Sequence, residues 1–352
     1  MENIKVMGIG VISKLGNNLD EIWANLDMRA ESADSHGKID FESVVPKKKR
    51  RRMNRYSEMT VYTTHKALES SRIDTESLDK TKVGTIFSTG YGPMVSNLAF
   101  AEMVHEGDQD LCSPTVFANT VSNTCVGHVC MEYGFQGVST ILMGSNNIAY
   151  SSSLLKKDVA DHIVTGSVEE YCEELYEAFN QKEITKAVPV QEASVTFVLK
   201  KSDKSNKGYC EIIETKDCNL GIYPLIEKVN EARVKQNLTK LLKQVNGGNH
   251  SEIDLIIDSS NGSYFDALES GILTDIFGTQ ISRIDNVKQL FGETLGSSCN
   301  VGLLVGALIL KNGYVPSKLG GNIKTDHLKT ILVTGYDVSG NYTATVITKE
   351  RS

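Results

Sequence analysis

Cysteine and histidine come close together once in this sequence, in Asn123-Thr124-Cys125-Val126-Gly127-His128-Val129-Cys130. On a helix, a spacing of three puts the Cys125 thiol and the His128 imidazole on one face, the arrangement a thiolate nucleophile uses. The bland alternative is a pair of small buried thiols beside a core histidine. The other cysteines, at 112, 172, 210, 218 and 299, have no histidine within a few residues. Seven cysteines without a Cys-x-x-Cys or a zinc-type Cys/His spacing read as free thiols in a reducing cytoplasm, with no metal and no other cofactor. Two charged groupings could also do work. The run Lys47-Lys48-Lys49-Arg50-Arg51-Arg52, followed by Arg55, is a candidate contact for an acidic partner, with a solvated loop as the equal alternative. Lys288 precedes Glu293 by five residues, and an ion pair between them would be structural.

These residues need a scaffold large enough to hold them. At 352 residues the chain suggests two domains or two similar halves sharing one core. Its 40% hydrophobic and 23% charged residues, with 6 prolines, exclude a disordered or collagen-like chain. A net charge of -7 argues against a general nucleic-acid binder. The N-terminal residues read as strand and turn rather than a secretion signal, and the longest apolar run, 301–310, is half the length that crosses a bilayer. Pattern predicts strands near 4–11, 83–88, 139–142, 161–165, 194–200, 209–215, 253–258, 330–334 and 342–347. Helices are predicted near 19–27, 58–71, 94–105, 123–133, 146–157, 168–179, 224–245, 265–276 and 299–310, with a basic loop before the second. Strands 194–200 and 209–215 suggest a meander. Alternation along the whole chain means α/β layers, and two cycles suggest a duplicated unit, divided into 1–218 and 219–352.

Several segments together resemble the β-ketoacyl synthases of the thiolase fold. They are VMGIGVISKLGNNLDEIWANL, RRMNRYSEMTVYTTHKALESSRID, VSNTCVGHVCMEYGFQG, ADHIVTGSVEE (read as a strand and an acidic turn), FGETLGSSCNVGLLVGALILKNGYVP and YDVSGNYTATVIT. The resemblance implies a duplicated, five-layered α/β/α/β/α architecture. It also implies condensation of acyl chains by a cysteine thiolate at a helix N-terminus, with two histidines assisting malonyl decarboxylation. A helix N-terminus lowers a thiol's pKa, and hydrogen-bond donors must meet the developing enolate.

The three positions that carry this chemistry are changed. Counting back from Asp161 puts the cysteine position at Ile141, and counting forward from Gly137 puts it nearer Asn146; the window STILMGSNN contains no cysteine. Ser259 or Ser260 stands at the first histidine, and Glu293 stands at the second, in a motif whose lysine, Lys288, is kept. Loss of all three on a retained scaffold resembles the chain length factor, the non-condensing subunit of type II polyketide synthases. That resemblance implies a catalytic ketosynthase as heterodimer partner, pairing through 123–133 and 139–142, and an acyl carrier protein met by Arg51, Arg52 and Arg55. It implies tunnel-gating positions at Phe117, Ala118, Asn119, Thr120 and Val121, and no nucleic-acid or membrane partner. This chain departs from the pattern in lacking glutamine at the cysteine position and in being shorter after Ala187 and between Asp217 and Ile226. The competing readings are an independent decarboxylase or hydrolase using Cys125 or a serine, and a non-catalytic homodimeric scaffold.

Overall fold

The computed structural model describes residues 2–27, 39–105, 113–181, 188–203, 207–222, 231–321, 323 and 327–350. Cys112 and residues 224–230 of the expected helix 224–245 lie outside the described residues. In the first half, β1 (Ile4–Ile12) is followed by α1 (Leu19–Leu26), α2 (Lys47–Arg50) and α3 (Arg55–Ser71). Next come β2 (Val83–Thr89), α4 (Met94–His105), α5 (Pro114–Ala118) and α6 (Thr124–Tyr133). β3 (Ser139–Met143), α7 (Asn147–Lys156), β4 (His162–Glu169), α8 (Glu173–Gln181) and β5 (Ala193–Lys201) complete it. The second half runs β6 (Cys210–Asn219), α9 (Glu231–Lys243), β7 (Leu255–Ile257), α10 (Phe265–Phe277) and β8 (Ser282–Ile284). α11 (Val287–Phe291), α12 (Ser298–Asn312), β9 (Thr330–Tyr336) and β10 (Asn341–Thr348) end the chain.

The strands form one ten-stranded sheet in the order β3-β2-β4-β5-β1-β6-β10-β9-β7-β8. From its outer edge inward the first half reads 3-2-4-5-1 and the second reads 8-7-9-10-6, the same order with every number raised by five. The repeat makes β6 the counterpart of β1, and we therefore place the midpoint of the duplication between β5 and β6, ahead of Cys218. β1 meets β6 at only three positions, Ile4↔Ile212, Lys5↔Glu211 and Val6↔Cys210. α7 packs on β2, β4 and β5 of the first half and also on β6 of the second, while α12 packs on β9 and β10 and also on β5. These two helices therefore lie between the halves. α3 covers β1, β4 and β5 from the other side, and α9 covers β6 and β10. Layering is thus helix, strand, helix, strand, helix, and the mixed α/β architecture is the expected one.

Burial explains each choice of element. β1, β2 and β9 are buried at every residue, as strands covered on both faces must be. α12 is buried from Ser298 to Leu310, so its apolar run is a core helix. α3 starts on Asn54, whose side chain accepts from the Ser57 N–H, and ends on Arg72 in the left-handed region at φ 56°.

Three expectations are corrected. β5 and β6 form no meander, because both pair antiparallel with β1, which lies between them. The expected helix 168–179 begins only at Glu173, since Val168 and Glu169 continue β4 opposite Ser194 and Ala193. The basic segment is not all loop, because Lys47–Arg50 forms the short helix α2 behind Pro46. Strand β8 and helices α5 and α11, of three and five residues, carry too little periodicity to be read.

α3 approaches β1 at two glycines. A Cβ on Gly10 would stand 1.9 Å from the Thr63 carbonyl oxygen, and one on Gly8 would stand 2.0 Å from that of Ala67. Neither contact is to a side chain that could turn away. Gly10→Ala is therefore expected to destabilise the fold by at least roughly 2 kcal/mol in urea denaturation, whereas Gly127→Ala, where a Cβ meets nothing within 4 Å, leaves the midpoint near wild type.

Candidate functional site

The turn from β3 into α7 is the place where a helix N-terminus could hold a nucleophile. It reads Gly144-Ser145-Asn146, with α7 beginning at Asn147. Ile141 lies within β3, paired with Phe87, and Asn146 stands at the start of α7. Gly144 has φ 117°, and a Cβ there would meet the Asp337 carboxylate at 2.7 Å. Ser145 Oγ, buried, donates to Asp337 Oδ2 at 2.8 Å. The same carboxylate accepts from the N–H groups of Ser339 (2.7 Å) and Asn341 (3.2 Å) and from the Asn341 side chain, so it ties the start of α7 to the turn after β9. Asn147 is fully buried: its Oδ1 accepts from Ser88 and Asn300, and its Nδ2 donates to Thr165 at 3.1 Å. Beside it a cavity of about 10 Å³, lined by Ser145, Cys299, Asn300 and Thr343 among others, has room for about one water. Burial pushes the Cys299 thiol up to about 11, so it is a packing thiol.

Glu293, which precedes α12, is 2% exposed. Its Oε2 accepts from Lys288 Nζ at 3.0 Å and Asn261 Nδ2 at 2.9 Å. Its Oε1 accepts from Ser298 Oγ at 2.8 Å and the Leu295 N–H at 2.9 Å. Burial would raise this carboxyl, but Lys288, Asn261 and Ser298 outweigh it and hold Glu293 below its ordinary range. Burial would likewise lower the Lys288 ammonium, and Glu293 more than reverses that. Lys288 also stands 4.2 Å from the centre of the Tyr336 ring, whose hydroxyl accepts from Asn261 at 2.7 Å. The ion pair read from the sequence is present. Four acceptor directions on one carboxylate are filled, and an ionised carboxylate has no proton to donate to a substrate carbonyl.

Ser259 lies after β7, where its Oγ donates to Glu269 Oε2 at 2.5 Å. Glu269 also accepts from Thr334 (2.8 Å) and Tyr342 (2.6 Å), and burial, followed by neighbouring Asp258, pushes it up. Ser259 is thus a donor within a buried polar cluster. Cys125 makes no thiolate: it is buried, and its pKa is pushed up to about 11, while burial lowers His128. Of the two residues read as an acidic turn, Glu169 is the last residue of β4 and Glu170 follows it, and both are buried. The residues sequence reasoning missed are Asn147, Asn261, Ser298, Tyr336 and Asp337. Asn261 and Asp337 stood in view beside quoted motifs, but their partners come from distant elements.

The remaining predicted positions lie on the surface. Phe117 (57% exposed) and Ala118 end α5, Thr120 and Val121 (48%) follow, and Asn119 is buried with its side chain donating to the Thr115 and Arg52 carbonyls. Of the eleven exposed large apolar side chains among the described residues, six fall between Val95 and Met143, on α4 to β3. β3 is the outer strand of the sheet, paired only with β2 among the described residues. Arg51 and Arg52 are exposed, whereas Arg55 is ion-paired with Glu192 and Arg50 with Glu58. These two arginines help line an open cleft of about 820 Å³ with Phe41, Tyr171, Tyr176 and Gln191.

Residues 29–172 match the family model of the β-ketoacyl synthase N-terminal domain. A 3-oxoacyl-[acyl-carrier-protein] synthase 2 of Staphylococcus aureus (strain MRSA252) is 22% identical over 192 residues, 48% of this chain and 46% of that protein. The match thus spans about half the length of this curated relative. Among solved structures, the ishigamide ketosynthase/chain length factor is 15% identical with a TM-score of 0.83, over 99% of this chain and 100% of that one. A chain from the complex of a type II polyketide synthase acyl carrier protein with its ketosynthase bound to the hexaketide is 17% identical with a TM-score of 0.79, over 99% of each. The fold is ketosynthase-like, of the thiolase type.

Lys288→Met would leave Glu293 charged and unpaired in the interior, at a cost of about 3–5 kcal/mol by chemical denaturation. The double variant Lys288→Met/Glu293→Leu should recover more than half of that loss. Because Glu293 is held below its unfolded value, its contribution is present above that value and is lost as pH falls through the folded one. Glu293→Gln should therefore remove part of the acid-side fall in stability.

Proposed function

We propose that this protein is a non-condensing partner subunit, a chain length factor, that pairs with a catalytic ketosynthase in type II polyketide synthesis and supplies part of the tunnel wall at their interface. The observation that carries this reading is the contrast between a filled centre and an open edge. At the centre the helix start offers Ser145, Asn146 and Asn147 and no thiol, and Glu293 is consumed by its own neighbours. At the edge, β3 lacks a second strand among the described residues, and Met143 (54%) on β3 stands exposed, as do Met131 (73%), Val121 and Phe117 on the segments before it. Exposed apolar groups along an open strand are a hazard unless a partner covers them.

Several features support the details. Two ketosynthase-like neighbours come from assemblies with a chain length factor or an acyl carrier protein. A cleft of about 420 Å³ between α6 and β3, lined by Ser122, Val126, Cys130 and Ile141 among others, would be closed by a subunit docked on this edge. In that arrangement Phe117, Ala118, Thr120 and Val121 face the shared tunnel. Arg51 and Arg52 supply positive charge for an acidic carrier protein, with Arg55 held by Glu192 as their anchor.

Co-expression with a ketosynthase that keeps its cysteine and both histidines tests the reading. Native mass spectrometry should give a one-to-one complex, with an interface of the obligate class, roughly 2,000–5,000 Å². Met131→Asp, placed on an exposed side chain so that the fold is spared, should cut recovery of the complex at least about tenfold. A well-folded monomer indifferent to the ketosynthase, or a homodimer that excludes it, would overturn the assignment.

A further inference from the structure

β4 ends on Glu169, Glu170 follows it directly, and both carboxylates are buried. Glu169 accepts from the N–H groups of Gly90 and Tyr91 and from Thr89 Oγ1 (3.3 Å). Glu170 Oε1 accepts from the Val95 N–H at 3.0 Å, in the first turn of α4, and its Oε2 accepts from the Tyr56 N–H at 3.2 Å, in the first turn of α3. Between them the two side chains grip residues 89–95, the whole connection from β2 into α4. α4 has little else to hold it. Of its twelve residues only Ser96 is buried, where it accepts from Asn54 Nδ2 at 2.9 Å, whereas α3 buries eleven of seventeen. Phe100 of α4 meets the Phe117 ring at 5.3 Å, so the position of α4 passes to α5.

We propose that Glu169 and Glu170 form a proton-operated clasp on residues 89–95 that sets the docking of α4 and, through Phe100 and Phe117, of α5. Burial is the larger influence on each: it outweighs the donated N–H groups and pushes Glu169 up to about 8 and Glu170 up to about 7. The groups facing Glu170 are Arg55 of α3, already ion-paired, and its partner Glu192. Those facing Glu169 are the phenols of Tyr56 and Tyr91. β2 and the 295–297 turn contain no charged residue, the lysines of β5 and α7 lie at their far ends, and the first charged residue of α4 is Glu102. Neither carboxylate therefore has a cation of its own.

The sign follows from linkage. A carboxyl whose value is higher in the closed clasp than in water binds its proton more tightly when closed. The clasp is strongest at acid pH and weakens as pH rises through about 7 to 8. It acts within the chain and needs no partner, so it stands or falls apart from the assignment above.

Amide hydrogen exchange of the full chain, corrected for intrinsic rates, tests it. Between about pH 6 and about pH 8.5, protection of residues 89–105 should fall at least about tenfold relative to α3. Glu170→Gln keeps an acceptor for the helix N–H groups and cannot ionise, so it should flatten that fall. Protection that does not change with pH in the wild type would overturn the clasp, and so would an undiminished fall in Glu169→Gln/Glu170→Gln. If the double variant fails to fold, the wild-type profile and the single variant decide.

Discussion

The ionised carboxylate of Glu293 must be neutralised before the interior around it can close, because an unpaired charge there costs several kcal/mol. The chain meets that demand from every direction. Lys288 comes from α11, Asn261 from the loop after β7, Ser298 from the first turn of α12, and the Leu295 N–H from a residue held in the left-handed region at φ 50°. The Glu293 backbone then ties these second-half elements to the first half. Its N–H donates to the Pro189 carbonyl and its carbonyl accepts from the Gln191 N–H, forming a short parallel bridge ahead of β5. Gly292 permits the approach, since a Cβ there would meet Gln191 Cγ at 2.3 Å. Glu293 is thus a staple between the two halves.

The same substitution of structure for chemistry runs through the rest of the centre. Asn147 links β2, β4 and α12 at the start of α7, Ser145 fastens that start to Asp337, and Ser259 belongs to the cluster around Glu269. These are short, buried, mutually satisfied contacts. Their effect is a rigid interior between two sheet halves, with little space for an acyl chain at the helix start. What remains open is peripheral: the β3 edge, the exposed apolar side chains of α4 to α6, and the cleft beside Arg50 and Arg55.

Much of this is readable in the sequence, for reasons that differ by element. α12 shows itself because thirteen successive residues are buried, and the strands show themselves because β-branched runs alternate with helical periods. The duplication is readable as two cycles, but its midpoint is not, because β6 sits in sequence beside β5 while pairing with β1. Three-residue β8 has no period to detect. At the site, Lys288 and Glu293 are five apart within one motif, so their pairing is legible. Asn261 and Ser298 reach the same carboxylate from 32 residues before it and five after, and only the fold brings them together. Ile141 and Asn146 compete for the nucleophile position because the segment 139–147 is too short to fix the register.

The central claim is that no group in this interior can take an acyl chain. Intact-mass spectrometry after incubation with an acyl carrier protein thioester measures that directly, with a cysteine-containing ketosynthase as the positive control. The account predicts unmodified protein, because Cys125 and Cys299 are buried thiols raised to about 11 and the Ser145 hydroxyl is buried and tied to Asp337. A stable acyl adduct mapped to Ser145, Cys125 or Cys299 would contradict it and restore an independent acyl-processing enzyme.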